Sequence, residues 1–172
     1  MATATDCLIQ TNTRWLRQAL ALLDRVSDAA YAEAPAGFAP HRAGGHLRHI
    51  LEFYQCFLEG LATLHVDYDA RRRDRTVEIS RAAAAATIRS LIRNLETSPD
   101  LHGDFTIWVR EEDGEHYLES SINRELQVLS SHTVHHFALL ALTLRLHGAP
   151  VEADFGMAPS TLRHLNNSRE AA

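Results

Sequence analysis

Apolar residues recur at three- and four-residue spacing along four stretches of this chain. The first runs from Thr11 to about Ala32, where Trp15, Leu16, Leu20, Leu22, Leu23 and Val26 fall largely on one side. That is the pattern of a helix with one face in a core. Two prolines and a glycine in residues 34–40 (APAGFAP) end it. A second helix is predicted from about Gly45 to Leu64, with Leu47, Ile50, Leu51, Tyr54, Phe57, Leu58, Leu61 and Leu64 as its apolar positions. Residues 65–75 (HVDYDARRRDR) form a polar, charge-dense connection. A third helix is predicted from Thr76 to about Leu95, and Thr97, Ser98 and Pro99 end it.

A different period follows. Residues 104–110 (DFTIWVR) are β-branched and aromatic, residues 111–114 hold an Asp-Gly turn signal, and residues 115–119 return as a second strand. A small hairpin or extended excursion is therefore expected between helices three and four. The fourth helix, Ser121 to about Leu146, has the longest apolar pattern. Gly148 and Pro150 close it, since glycine suits the position after a helix and proline cannot continue one. Residues 151–172 read as a less regular extension, with residues 155–160 (FGMAPS) ordered by aromatic and turn chemistry and fraying from Asn166 onward. The expectation is an all-α fold, a four-helix bundle, formed by one domain over residues 1–172 with its core at about 10–150.

Composition narrows the class. A chain of 172 residues buries about two-thirds of its unfolded surface, so it needs no disulfide framework. Cys7 and Cys56 read as reduced thiols and small apolar residues, as in a cytoplasmic protein. No stretch is long and apolar enough for a membrane span, and Asp6 with no basic segment ahead of an apolar run argues against a signal peptide. The formal charge of −5 argues against a nucleic-acid partner. A homodimer is compatible with the helix faces, although no stripe demands one.

Histidine is where chemistry concentrates. Six of the 11 histidines lie in two clusters: His41, His46 and His49, and His132, His135 and His136. On a helix, residues four apart point the same way. His132 and His136 therefore share a stripe with Leu129, Leu140 and Thr143 and face inward. His132 and His135 are a second possible pair. On the second helix His49 is the inward candidate, and His46, one turn earlier, is the alternative. Two helical imidazoles and a third from another helix make the ligand set of an open metal site.

The stretches GGHLRHILEFY (44–54), DYDARRRD (67–74) and SSHTVHHFA (130–138) together resemble the DinB-like superfamily of bacterial four-helix metal proteins. The resemblance covers roughly residues 10–150 in element order. It implies an up-down-down-up bundle, with a metal held by His49, His132 and His136 in preference to His46 and His135. Known activities in that superfamily include bacillithiol transferase and mycothiol-dependent maleylpyruvate isomerase, and a related domain carries the three-histidine iron site of sulfoxide synthases. The resemblance thus implies a metal-dependent enzyme of transferase or hydrolase type acting on a small molecule, with a low-molecular-weight thiol as a candidate cofactor. A non-catalytic metal-binding or stress-related bundle protein is the rival reading.

The ligand chemistry suits zinc, nickel or iron alike. Glu52, three residues after His49, is the candidate general base. Tyr68 and Arg71 are candidate substrate contacts, because an arginine fork suits carboxylate or phosphate. A structural salt-bridge cluster of Arg71 with Asp67, Asp69 and Asp74 is the favoured alternative for that residue. Cys56 lies about two turns from His49 and is not expected as a ligand.

Overall fold

The computed structural model describes residues 2–170. The fold is mostly helical, with seven α-helices among the described residues: α1 (Ala4–Leu23), α2 (Asp28–Ala32), α3 (Ala43–Leu61), α4 (Arg75–Ile79), α5 (Arg81–Thr97), α6 (Ile122–Leu146) and α7 (Pro159–Glu170). A three-stranded sheet of β1 (His65–Val66), β2 (Thr106–Arg110) and β3 (Tyr117–Ser121) lies between them in sequence. The expectation of an all-α fold is corrected to that extent.

The four long helices form a closed ring of contacts, α1 against α5 and α6, and α3 against α5 and α6. Their inner faces meet in one core that includes Leu16, Leu47, Ile50, Tyr54, Phe57, Ile88, Leu95, Leu126, Leu129 and Phe137. α1 starts earlier than its apolar pattern suggests. Thr3 and Asp6 form a reciprocal capping box at its start, which satisfies backbone donors that a helix otherwise leaves open. The expected first helix also breaks after Leu23, and Ser27 caps the short α2.

The expected third helix is two helices. Ser80 is extended, with φ −121° and ψ 111°, and its hydroxyl accepts from Ala83 N–H to start α5. The break lets α4 lie against α3 and α2. Tyr31 donates its hydroxyl to the Val77 carbonyl at 2.6 Å. Gly44 makes the approach possible: a Cβ there would sit 1.9 Å from the Glu78 carbonyl oxygen.

The predicted hairpin is present. β2 and β3 pair antiparallel, with Trp108 opposite Glu119. A strand is added to it from within the polar connection after α3. β1 pairs parallel with β2, His65 opposite Trp108 and Val66 opposite Val109. Gly60 admits this strand, since a Cβ there would lie 2.5 Å from the His65 carbonyl oxygen. Val66 is fully buried.

The tail is ordered around Phe155 as expected, and its helix continues into the segment expected to fray. Phe155 stacks on Phe137 with ring centres 4.6 Å apart, and α7 extends to Glu170. Of the segment expected to fray, Ala171 and Ala172 lie outside the described residues. No described helix is long and apolar enough to cross a membrane.

Candidate metal centre

α3 and α6 run antiparallel, and they bring three histidines together. His49 comes from α3, and His132 and His136 from successive turns of α6. One nitrogen from each ring lies within 4.8 Å of the other two. The tightest approach with a defined hydrogen-bond geometry is His132 Nε2 to His49 Nε2, at 3.1 Å. Ring centres are 4.5 Å apart for His49 and His136, 4.5 Å for His132 and His136, and 4.8 Å for His49 and His132. All three side chains are half-buried.

Burial keeps these rings neutral. Desolvation, with smaller repulsion from Arg71, Arg48 and His46, lowers the pKa of His49 to about 4. Desolvation followed by His49, His135 and Arg71 lowers His132 to about 4. Desolvation and the other histidines lower His136 to about 3. Neutral imidazole is the form that ligates metal.

The protein alone leaves the cluster unsatisfied. His132 Nδ1 and His136 Nδ1 are buried with no hydrogen-bond partner among the described residues. An orphaned buried polar atom costs about 1–3 kcal/mol, so these two rings are expensive as core residues, although in His132 the orphaned nitrogen is the one opposite the Nε2 that faces His49. An all-nitrogen, partly exposed set of three fits a divalent ion that keeps at least one open position.

The two alternative histidines stand outside the cluster. The His46 ring is 5.7 Å from His136 and 6.2 Å from His41. His135 is exposed, its ring 5.2 Å from that of His136.

Glu52 is buried at 3% exposure, but its carboxylate has other work. Oε1 accepts the Asp74 N–H at 2.7 Å, and Oε2 is 3.8 Å from Arg48. It ties α3 to the start of α4, where Asp74 in turn caps Thr76. Cys56 is half-buried, and burial raises its thiol pKa to about 11, a protonated and unreactive state.

Phe53, on the same helical stripe as His49, has a place in the site that its sequence position does not by itself assign. It stacks on His132 with ring centres 4.0 Å apart and meets His49 edge-on at 4.8 Å. Tyr68 stacks on Phe53 at 4.8 Å, and Arg71 Cζ lies 4.9 Å from the Phe53 ring centre. Its place four residues after His49 was the available signal, since that spacing puts both rings on one helix face.

Tyr68 is fixed twice. Beyond its stacking, its hydroxyl donates to Glu125 Oε2 at 2.9 Å. Burial and the neighbouring Glu125 charge push its pKa well above the usual phenol value. Ser120 donates to the other oxygen of Glu125 at 2.6 Å, so that buried carboxylate is fully engaged by two hydroxyls.

The expected salt-bridge cluster around Arg71 does not form. Asp67 pairs with Arg110 at 2.8 Å and accepts from the Asp69 and Ala70 N–H groups. Asp69 accepts the Asp113 N–H, and Asp74 caps α4. Arg71 donates to the Tyr68 carbonyl at 2.6 Å and has no carboxylate within 4 Å among the described residues.

Comparison with known proteins adds little to this geometry. No family model matches the chain, and no solved structure matches it. Over 106 residues it is 33% identical to FK506-binding protein 5 of Rhizopus delemar. The match covers 58% of this chain and 27% of that protein. The chain therefore spans about a quarter of the relative's length.

Proposed function

We propose that this chain is a metal-dependent enzyme of transferase or hydrolase type, built on a DinB-like four-helix bundle, that acts on a small molecule. His49, His132 and His136 hold a divalent zinc, nickel or iron ion. The observation that carries this reading is the convergence of three neutral, half-buried imidazoles with one nitrogen of each within 4.8 Å of the other two. When bound, such an ion lowers the pKa of a coordinated water or low-molecular-weight thiol and so supplies a nucleophile near neutral pH. The chain's own part is to hold the three rings. Phe53 braces His49 and His132 from one side. Thr133, next to His132, is held from below by the Tyr54 hydroxyl at 3.1 Å, and that hydroxyl also donates to Asn12 at 2.7 Å.

The engagement of Glu52 and Glu125 elsewhere favours a second reading, in which the same centre binds metal without turnover. The similarity to FK506-binding protein 5 covers too little of that protein to bring its binding property here.

Metal analysis of protein purified without a histidine tag tests the centre. About one ion per chain is expected, and it is lost in the double variant His132→Ala, His136→Ala. A stoichiometry far below one, unchanged in the variant, removes the metal reading altogether. Thermal-shift screening of metal-loaded protein against low-molecular-weight thiols and small electrophiles then separates the enzyme from the passive binder.

A further inference from the structure

We propose that Arg71 is the anion-recognition residue of this centre, so that the substrate carries a carboxylate or phosphate group and binds it there. The inference rests on the metal reading and names the substrate class for that same site.

Charge balance is the first argument. Three neutral imidazoles contribute no negative charge, so a divalent ion among them keeps both of its charges. Arg71 adds a third positive charge beside the centre, its Cζ 4.9 Å from the centre of the Phe53 ring that stacks on His132. None of the carboxylates around the loop pairs with Arg71: Glu52 faces Arg48 and the Asp74 N–H, Glu125 accepts from two neutral hydroxyls, Asp67 faces Arg110, and Glu59 pairs with Arg72. Concentrated positive charge in a partly desolvated site selects an anionic ligand.

Preorganisation is the second. Arg71 is half-buried, and one of its amino groups is fixed on the Tyr68 carbonyl. Tyr68 is itself held by Glu125 and by stacking on Phe53. The loop is tethered further by the Asp67–Arg110 pair and by β1 on β2. The remaining guanidinium donors make no hydrogen bond to the described residues. A planar fork held in place with free donors is suited to two oxygens of one carboxylate or phosphate, and little side-chain entropy remains to be lost on binding. Were Arg71 merely structural, one of the three aspartates within four residues of it would be its partner, and none is.

The test is ligand binding to cobalt-loaded protein, followed by the visible spectrum of the metal. Titration with oxalate and with inorganic phosphate distinguishes the carboxylate from the phosphate source, and neutral imidazole serves as a control that needs only an open metal position. In Arg71→Met, which keeps much of the apolar stem, the preferred anion binds at least 10-fold more weakly, while cobalt stoichiometry and imidazole affinity are unchanged. Arg71→Lys, which keeps the charge without the fork, falls between the two. Equal anion affinity in wild type and Arg71→Met, both fully loaded, overturns the role of Arg71 and leaves the metal reading standing. Failure of the wild type to take up cobalt overturns both. Loss of imidazole binding in Arg71→Met shows that the arginine acts on the metal position itself, which also overturns the proposal.

Discussion

His49 Nε2 and His132 Nε2 lie 3.1 Å apart across the α3–α6 seam, although 83 residues separate them in sequence. Tetrahedral coordination at about 2.0–2.1 Å places neighbouring nitrogens roughly 3.3 Å apart, so this pair already stands near a chelating distance. His49→Ala and His132→Ala are each expected to weaken metal affinity by more than the roughly 10–100-fold that loss of a supporting residue costs. His46→Ala and His135→Ala are expected to leave it within a few-fold. Competition against a chromophoric chelator measures all four. A larger loss in His46→Ala than in His49→Ala would reassign the α3 ligand.

The neutral histidines give metal-free protein a pH dependence of definite sign. Their folded pKa values, about 3 to 4, lie below the ordinary value of 6.5. Between those limits the unfolded chain binds more protons than the folded one, so stability falls as pH falls. The contribution is complete above about 6.5 and is lost progressively down to about 4. Urea midpoints in the presence of chelator are therefore expected to drop more steeply for wild type than for a variant with all three histidines replaced by glutamine. Parallel curves would show that the rings are not held neutral.

Glu52 is expected to matter for folding rather than for the metal. Glu52→Ala removes the acceptor of the Asp74 N–H and leaves Arg48 to Glu78 alone. A loss of about 1–3 kcal/mol is expected from an amide left unpaired, with metal content unchanged. Denaturant titration and metal analysis on the same preparation read both.

Gly44 is a steric requirement. Gly44→Ala puts a methyl group into the Glu78 carbonyl, which is backbone and cannot swing away. Overpacking of this kind costs about 1–3 kcal/mol or more, and the α3–α4 contact is expected to open. A shift of the thermal midpoint by several degrees checks it.

Tyr54→Phe tests the polar knot beneath the centre. The hydroxyl bridges Asn12 Oδ1 and Thr133 Oγ1 in a fully buried position. Its removal leaves Asn12 Oδ1 short of its donor, at a cost of about 1–3 kcal/mol, measurable by urea denaturation.

These residues also show what a sequence can carry. The His132–His136 pair was readable because i, i+4 spacing on an apolar stripe fixes a direction. The hairpin was readable because its composition changes period. The break at Ser80 was hidden, since the helical pattern continues across it and only tertiary contacts to Gly44 and Tyr31 reward an interruption. β1 was hidden because two residues are too few to show alternation. Phe53 was readable only as a neighbour of His49 on one stripe, since spacing does not show that its ring also stacks on His132 from another helix. The alternative salt-bridge cluster around Arg71 fails for the opposite reason. The acidic neighbours are close in sequence, but the fold commits each of them to a backbone amide or to another arginine.

The parallel pairing of β1 with β2 has a further consequence. It splints the segment bearing Tyr68 and Arg71 to a hairpin that contributes no residue to the three-histidine cluster. The histidines stand on α3 and α6, while the loop is tied both to those helices, through Phe53 and Glu125, and to the hairpin. Changes in the length or sequence of the Glu111–Gly114 turn can retune the loop while the histidine frame stays still.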